Sequence, residues 1–170
     1  MTIADVPAGF AAAADASLRW HPGGPFDLPQ TIGTLLRGHG DPSIRTAPDG
    51  LWLGFTTPSG PATLRLTATG PPADPAIDVQ AWGPGAAAAA DSVPRMLGRD
   101  DDWSGFDEPA FHATLPRMVV AARRRNPAVR LPATGRLVDS LVPTILEQKV
   151  TVIEARRGYR YLMYRFGTPA

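Results

Sequence analysis

Gln148 and Lys149 are the residues whose types and position most clearly suggest chemistry. Lys149 is the only lysine, because sixteen of the seventeen basic residues are arginine. An apolar, helix-like run precedes this pair. The stretch from Thr151 to Glu154 has the pattern of a capping box, in which a threonine begins a helix and a glutamate three residues later reaches back to its amide. The pattern predicts that one helix ends near Gln148, that another begins at Thr151, and that an amide and a cation project from the corner between them.

The uneven distribution of charge indicates a polyanionic partner. The whole chain has a net charge of +1, but residues 116–170 hold 11 basic residues against 3 acidic ones. A segregated basic segment of this kind is typical of surfaces that bind nucleic acid. One alternative stays open at this point, namely a set of solvated helix faces that bind nothing.

Several classes of site are excluded or disfavoured by composition. The chain has no cysteine, which excludes disulfides, thiolate metal sites and cysteine nucleophiles. The three histidines share no metal-ligand spacing, and the consecutive aspartates at 100–102 do not converge on an ion. We therefore expect no metal and no cofactor. No apolar run is long enough to cross a membrane, and the N-terminal stretch lacks the features of a secretory signal, so the expected location is cytoplasmic.

Residues 1–98 are expected to form an α+β domain with an antiparallel sheet. Short runs with apolar residues at every second position, separated by Pro-Asp-Gly and Pro-Ser-Gly turns, predict five strands in total. Asp27 as cap and Pro29 in the first turn predict a helix over 28–37, and the alanine-rich stretch 84–98 predicts a second helix. The tryptophans on the strand patterns are expected in the core: Trp20, Trp52 and Trp82.

The remainder is expected to be an acidic linker at 99–107, followed by an incomplete helical domain over 108–170. Helices are predicted over 108–125, with Asp107 as its cap, over 134–148, and from the capping box onward. The residues expected to face inward are Phe111, Leu115, Met118 and Val119 in the first helix, Leu137, Leu141, Ile145 and Leu146 in the second, and Ile153, Tyr161, Leu162 and Phe166 in the third. The last segment is also expected to leave apolar side chains uncovered, which favours self-association.

The ordered set of segments resembles the helix-hairpin-helix DNA glycosylases of the 3-methyladenine DNA glycosylase II type, in the form of actinobacterial-type members. The stretch "RLPATGRLVDSLVPTILEQKVTVIEARRGYRYLMYRFG" is similar to the family's central segment, where an Ile-Leu-x-Gln-x-Val/Ile-Ser/Thr corner follows an Arg-Leu-Pro approach. The stretches "WHPGGPFDLPQTIGTLLRG", "LWLGFTTPSGPATLRL", "AWGPGA" and "MLGRDDDWSGF" are similar to its N-terminal half. The resemblance implies a TATA-binding-protein-like sheet domain with two helices, followed by the first helices of an all-α glycosylase domain.

The resemblance also implies a function in base excision repair. Enzymes of this family evert an alkylated base from double-stranded DNA and hydrolyse its N-glycosidic bond. A corner residue wedges into the gap that the everted base leaves. By position this wedge is Lys149, with Gln148 beside it, and Thr151, Arg156 and Arg160 complete the expected DNA-binding set. Lysine departs from the usual apolar wedge, but its aliphatic stem can fill space while its ammonium reaches a phosphate.

The family's Gly-rich hairpin and its catalytic aspartate would lie beyond the final "GTPA". No acidic residue of the helical part matches that aspartate by motif, so no catalytic residue is assigned. We expect the chain alone to be inactive and to be the N-terminal portion of a glycosylase. One alternative is a non-catalytic DNA-binding module with a basic helical face, and another is a small-molecule-binding α+β domain. A Schiff-base role for Lys149 is disfavoured, because in enzymes with that chemistry the lysine lies on the hairpin.

Overall fold

The computed structural model describes residues 13–169. Residues 1–12, which include the stretch inspected for a signal, and Ala170 lie outside it, although they belong to the ends of the two predicted domains. The described strands are β1 (Ala16–Trp20), β2 (Ile44–Ala47), β3 (Gly50–Thr57), β4 (Gly60–Thr69) and β5 (Ala76–Trp82). The helices are α1 (Leu28–Gly33), α2 (Ala86–Met96), α3 (Ser104–Asp107), α4 (Pro109–His112), α5 (Arg117–Arg125), α6 (Leu137–Leu146) and α7 (Val152–Phe166). The predicted α+β class is confirmed. No helix within 13–169 combines the length and apolarity that a membrane span requires.

The strands form one antiparallel sheet, as predicted, and their order is β1-β5-β4-β3-β2. The two short turns fall at the Pro-Asp-Gly and Pro-Ser-Gly sequences, and each ends on a glycine with positive φ. Gly50 has a φ of 138°, and a Cβ there would lie 2.8 Å from the carbonyl oxygen of Leu66. The turn between β2 and β3 therefore requires glycine, because any other residue would be strained and would collide with β4.

The register of the sheet collects the apolar side chains on one face. Leu53 pairs with Leu64, which in turn pairs with Ala81, so three neighbouring strands contribute to one apolar row. α1 and α2 cover this face, and Ile32 of α1 and Val93 of α2 are almost completely buried in the same cluster. Burial of one such side chain contributes about 1.5–3 kcal/mol. This layer of helices on a sheet is the core of the protein, and residues 13–97 are called the sheet half below.

The other face of the sheet carries two of the tryptophans that were expected in the core. Trp52 and Trp82 stack with ring centroids 5.5 Å apart. The guanidinium groups of Arg45 and Arg65 lie over the Trp52 ring at 6.0 and 5.6 Å, so this ring is buried under arginine stems. The predicted burial of Trp52 is confirmed, since it is 1% exposed, whereas Trp82 is half-buried. Both lie on the face away from the helices because of their positions in the strands. Trp20 is partly buried against the core, as predicted.

Helix α1 begins as the sequence predicts. Asp27 is its N-cap and accepts a hydrogen bond of 2.9 Å from the amide of Gln30, with Pro29 in the first turn. The helix ends at Gly33, which is four residues before the predicted end. The second predicted helix is confirmed as α2, which lies within the predicted range 84–98.

The predicted helix over 108–125 is two helices, α4 and α5, separated at Pro116. Proline lacks the amide hydrogen that a continuous helix needs, and it disfavours helical geometry in the residue before it. Asp107 does not cap this helix, because Glu108 occupies the N-cap of α4. Asp107 instead ends α3, a short helix within the predicted linker, and accepts hydrogen bonds of 2.8 and 2.7 Å from Arg123.

The helical half, residues 98–169, buries few of the apolar side chains that were predicted to face inward. Met118 is 76% exposed, Leu137 77% and Phe166 70%. Further predicted core residues that are exposed are Phe111, Val119, Leu141, Ile145, Ile153 and Tyr161. Those that are half-buried are Leu115, Leu146 and Leu162. The inward stripes were therefore largely wrong, since no described element covers them, whereas the expected uncovered side chains of the last segment are confirmed.

Main-chain hydrogen bonds attach the helical half to the sheet half. The amide of Asp27 donates to the carbonyl of Ala128 at 2.9 Å, and the amide of Ala133 donates to the carbonyl of Met96 at 2.9 Å. The amide of Arg130 also donates to Thr31 Oγ1 at 3.1 Å. The segment between α5 and α6 thus runs along α1 and α2 and fixes where α6 begins.

Candidate nucleic-acid interface

The corner between α6 and α7 has the form that the sequence predicts. α6 ends at Leu146, with Glu147 as its C-cap. Thr151 is the N-cap of α7: its hydroxyl accepts from the amide of Glu154 at 3.3 Å, and the Glu154 carboxylate accepts from the amide of Thr151 at 2.9 Å. The predicted capping box is therefore confirmed. Hydrogen bonds from Thr151 also lower the pKa of Glu154 below its ordinary value.

Gln148 and Lys149, together called the elbow, lie exposed at this corner. The Gln148 side chain turns back to donate to the carbonyl of Thr144 at 3.1 Å, which leaves Lys149 as the tip. Lys149 has a φ of 60° and is the only non-glycine residue with positive φ in the described range. Such a conformation costs roughly 1–2 kcal/mol for a residue with a side chain. It makes the turn between the two helices at an exposed position.

Arg156 and Arg160, which were predicted with the elbow as DNA-binding residues, lie against the loop after α1. A Cβ on Gly38 would come within 2.5 Å of the Arg156 guanidinium, and one on Gly40 would lie 4.0 Å from Arg160 Cδ. Both arginines are half-buried. Their first role in the fold is therefore to pack α7 against the sheet half. Arg157, one residue away on the same helix, is exposed.

A polar cluster behind this packing was not found from the sequence. The buried carboxylate of Asp41 accepts from the amides of Arg37 and Ser43, both at 2.8 Å. Ser43 Oγ in turn lies 3.3 Å from the hydroxyl of Tyr159, and Arg37 forms a 3.8 Å ion pair with Glu147. Burial raises the pKa of Tyr159. This cluster, called the latch, fixes both sides of the elbow to one loop. Its members are too far apart in sequence for any local pattern to reveal it.

A groove of about 530 Å³ lies between the sheet half and the α6–α7 pair. In its wall, the Arg136 guanidinium is stacked 3.6 Å from the centre of the Phe55 ring and is paired with Asp139 at 3.0 Å. Burial lowers the pKa of Arg136. The helical residues that line the groove lie between Val138 and Pro143 in α6 and between Tyr159 and Phe166 in α7. Neither Gln148 nor Lys149 lines the groove, so the groove and the elbow are separate features.

The acidic side chains of α6 and α7 all have partners within the described structure. Asp139 pairs with Arg136, Glu147 with Arg37, and Glu154 with the cap of α7. Residues 13–169 also contain no group of three side chains that is arranged to hold a metal ion. The geometry therefore offers a binding corner and basic surface, and it assigns no catalytic carboxylate.

No family model matches the chain, and no curated protein is significantly similar to it. The likeness to helix-hairpin-helix glycosylases therefore remains a hypothesis that rests on the sequence segments quoted above.

Proposed function

We propose that this chain binds double-stranded DNA at damaged positions through the elbow, as the N-terminal portion of a glycosylase that everts alkylated bases and hydrolyses their N-glycosidic bond. The observation that supports this function is the exposed corner between two capped helices, with Lys149 in a left-handed conformation at its tip. A protruding residue on a short turn can enter the space that an everted nucleotide vacates, because only its side chain has to fit between the neighbouring bases.

The side chain of Lys149 is better suited to fill the gap left by an everted base than to act as a nucleophile. Its four-carbon stem can occupy apolar space, while its ammonium stays near the phosphates or a base edge. Lysines that act as nucleophiles are usually desolvated, whereas Lys149 is exposed. We therefore assign Lys149 a wedging and charge-pairing role.

The other residues of the predicted site support the elbow from behind. Thr151 holds the start of α7, and Gln148 is tied to the end of α6 by its bond to Thr144. Arg156 and Arg160 hold α7 against the loop after α1, where their charge still adds to the basic field of the helical half. A corner whose backbone is held by caps and hydrogen bonds enters a base stack at less entropic cost than a flexible loop, because less of the backbone has to be ordered on binding.

The test is the preference of the chain for a 20-base-pair duplex with a central abasic analogue over the intact duplex, measured by fluorescence anisotropy. Lys149→Asn removes the stem and the charge, and asparagine tolerates positive φ. We expect this variant to lower the preference about tenfold, which equals about 1.4 kcal/mol. Arg157→Gln is the matched control, since it removes one exposed charge from α7 and should weaken both complexes equally.

The outcome also separates the two DNA-binding hypotheses. If wild-type protein binds both duplexes equally and Lys149→Asn behaves like Arg157→Gln, the elbow does not recognise an open base stack. The non-catalytic module with a basic helical face would then be the better function, and the pairing of Asp139, Glu147 and Glu154 fits it as well as it fits the first proposal.

A further inference from the structure

We propose that α5 carries a second DNA-backbone contact, in which Arg117, Arg124 and Arg125 bind phosphates of the duplex. These three residues are called the arginine ridge. The choice of DNA as the partner rests on the proposed function, but the surface is separate from the elbow and requires no everted base.

The ridge lies in an unusual stretch of sequence. Residues 109–138 contain six arginines and no acidic residue. Three of the six have side chains that are engaged within the fold. Arg123 binds Asp107 and stacks 4.6 Å from the Trp103 ring, Arg130 Nη1 donates to the carbonyl of Pro127 at 2.8 Å, and Arg136 stacks on a phenylalanine. The ridge consists of the other three.

Within the described range, no carboxylate lies within 4.0 Å of a ridge guanidinium, and all three side chains are exposed. Arg125 Nε donates at 3.1 Å to the carbonyl of Ala121 in its own helix, which leaves its charge unneutralised. The helix dipole explains only part of this arrangement. Arg124 and Arg125 belong to the last turn, where cations are favourable, but Arg117 is the first residue of α5, where a cation is unfavourable. The charge at position 117 therefore has no evident structural use.

The ridge residues lie on one side of α5, because positions 117, 121, 124 and 125 are spaced by three, four and seven residues. They line a shallow depression of about 560 Å³ whose floor includes Leu115 and Val120. Arg117 and Arg124 are two turns apart, on the order of 10 Å along the axis at 1.5 Å per residue. At a rise of 3.4 Å per nucleotide along the duplex axis, that distance covers about three base-pair steps, so a helix face that lies along the duplex can contact more than one phosphate.

The ridge is tested by the salt dependence of binding to an intact 20-base-pair duplex between 50 and 200 mM KCl. The triple variant Arg117→Gln, Arg124→Gln, Arg125→Gln should flatten the plot of log affinity against log salt by about 0.9 for each phosphate that the protein no longer neutralises. Its control is Arg19→Gln, Arg95→Gln, Arg99→Gln, which removes the same charge from exposed positions of β1, α2 and the turn after α2. The control should change the slope little.

An equal slope for the ridge variant and the control variant would overturn the proposal. If the triple variant does not fold by circular dichroism, Arg117→Gln and Arg124→Gln are measured singly, and unchanged slopes in both would overturn it as well. Binding of wild-type protein to phosphatidylserine vesicles but not to the duplex would also overturn it.

Binding to the abasic duplex distinguishes failure of the ridge proposal from failure of the elbow proposal. The ridge variant should keep the wild-type preference for the abasic site, because the ridge contacts only backbone. A flattened slope in a protein without abasic preference would support the ridge and reject the elbow.

Discussion

The sheet half and the helical half differ in how many of their apolar side chains are buried. Eighteen of the nineteen buried hydrophobic residues of the described chain lie between Phe26 and Leu97, and the remaining one is Ala155. Conversely, fourteen of its fifteen exposed large hydrophobics lie from Phe111 onward. The sheet half thus contains its own core. The helical half is held by caps, ion pairs and hydrogen bonds to the sheet half, and it leaves its apolar stripes facing solvent.

This difference shows how the elbow is positioned. A helix pair without a core of its own takes its orientation from the surface on which it rests, here through the latch and the stacking of Arg136 on Phe55. The sheet half therefore acts as the support, and the helical half carries the basic surface and the elbow.

The contrast between the halves should be largest when the same substitution is made in both. Leu64→Ala removes a completely buried side chain from the middle of the sheet and should cost about 2–5 kcal/mol of unfolding free energy. Leu137→Ala, at a residue 77% exposed, should change it by less than about 0.5 kcal/mol. Urea denaturation measures both, and similar losses would show that α6 has a core partner that the structure does not reveal.

A smaller effect is expected at the cap of α7. Thr151→Ala removes the hydroxyl that accepts from the Glu154 amide and should cost about 1 kcal/mol. Hydrogen exchange should show weaker protection in the first turn of α7 and no change in the sheet. Thr168→Ala, at an exposed residue beyond the helix, is the control. Equal loss of protection in β4 would mean that the two halves unfold as one unit.

The smallest effect concerns pH. Hydrogen bonds from Arg123 lower the pKa of Asp107, so the pair stabilises the fold fully above the ordinary aspartate value of about 3.9. That contribution is lost as pH falls through the lower folded value. Because the Asp107 side chain is 41% exposed, the pair contributes less than about 1 kcal/mol. Wild type and Asp107→Asn should differ in urea denaturation at pH 7 and converge at low pH. A difference that persists in acid would contradict this assignment.

The sheet half could be predicted from its sequence because its signals are local. The glycines at the two turns and the alternation of Leu51, Leu53, Leu64 and Leu66 determine strand ends and faces through neighbouring residues alone. The burial of Trp52 was predicted, but the face on which it is buried, under the stems of Arg45 and Arg65, was not. Pro116 contained the signal for a helix break, and it was overlooked in favour of the apolar spacing around it.

In the candidate site, the elbow was predictable and its surroundings were not. The pattern from Thr151 to Glu154 defines a helix start within four residues, and the structure has that start. The latch joins Ser43 to Tyr159 across 116 positions, and nothing near either residue indicates the contact. For the same reason, Arg156 and Arg160 were predicted as free DNA contacts, although the loop after α1 partly covers them.

The outermost strands of the sheet are both short. β2 has four residues and β1 has five, and Arg19 of β1 is bound across the sheet to Asp78 at 2.7 Å. Short, charged edge strands offer little template for intermolecular strand addition. At high concentration this protein should therefore self-associate through the exposed apolar side chains of its helices and not by adding strands to its sheet. Mild detergent should reverse such association.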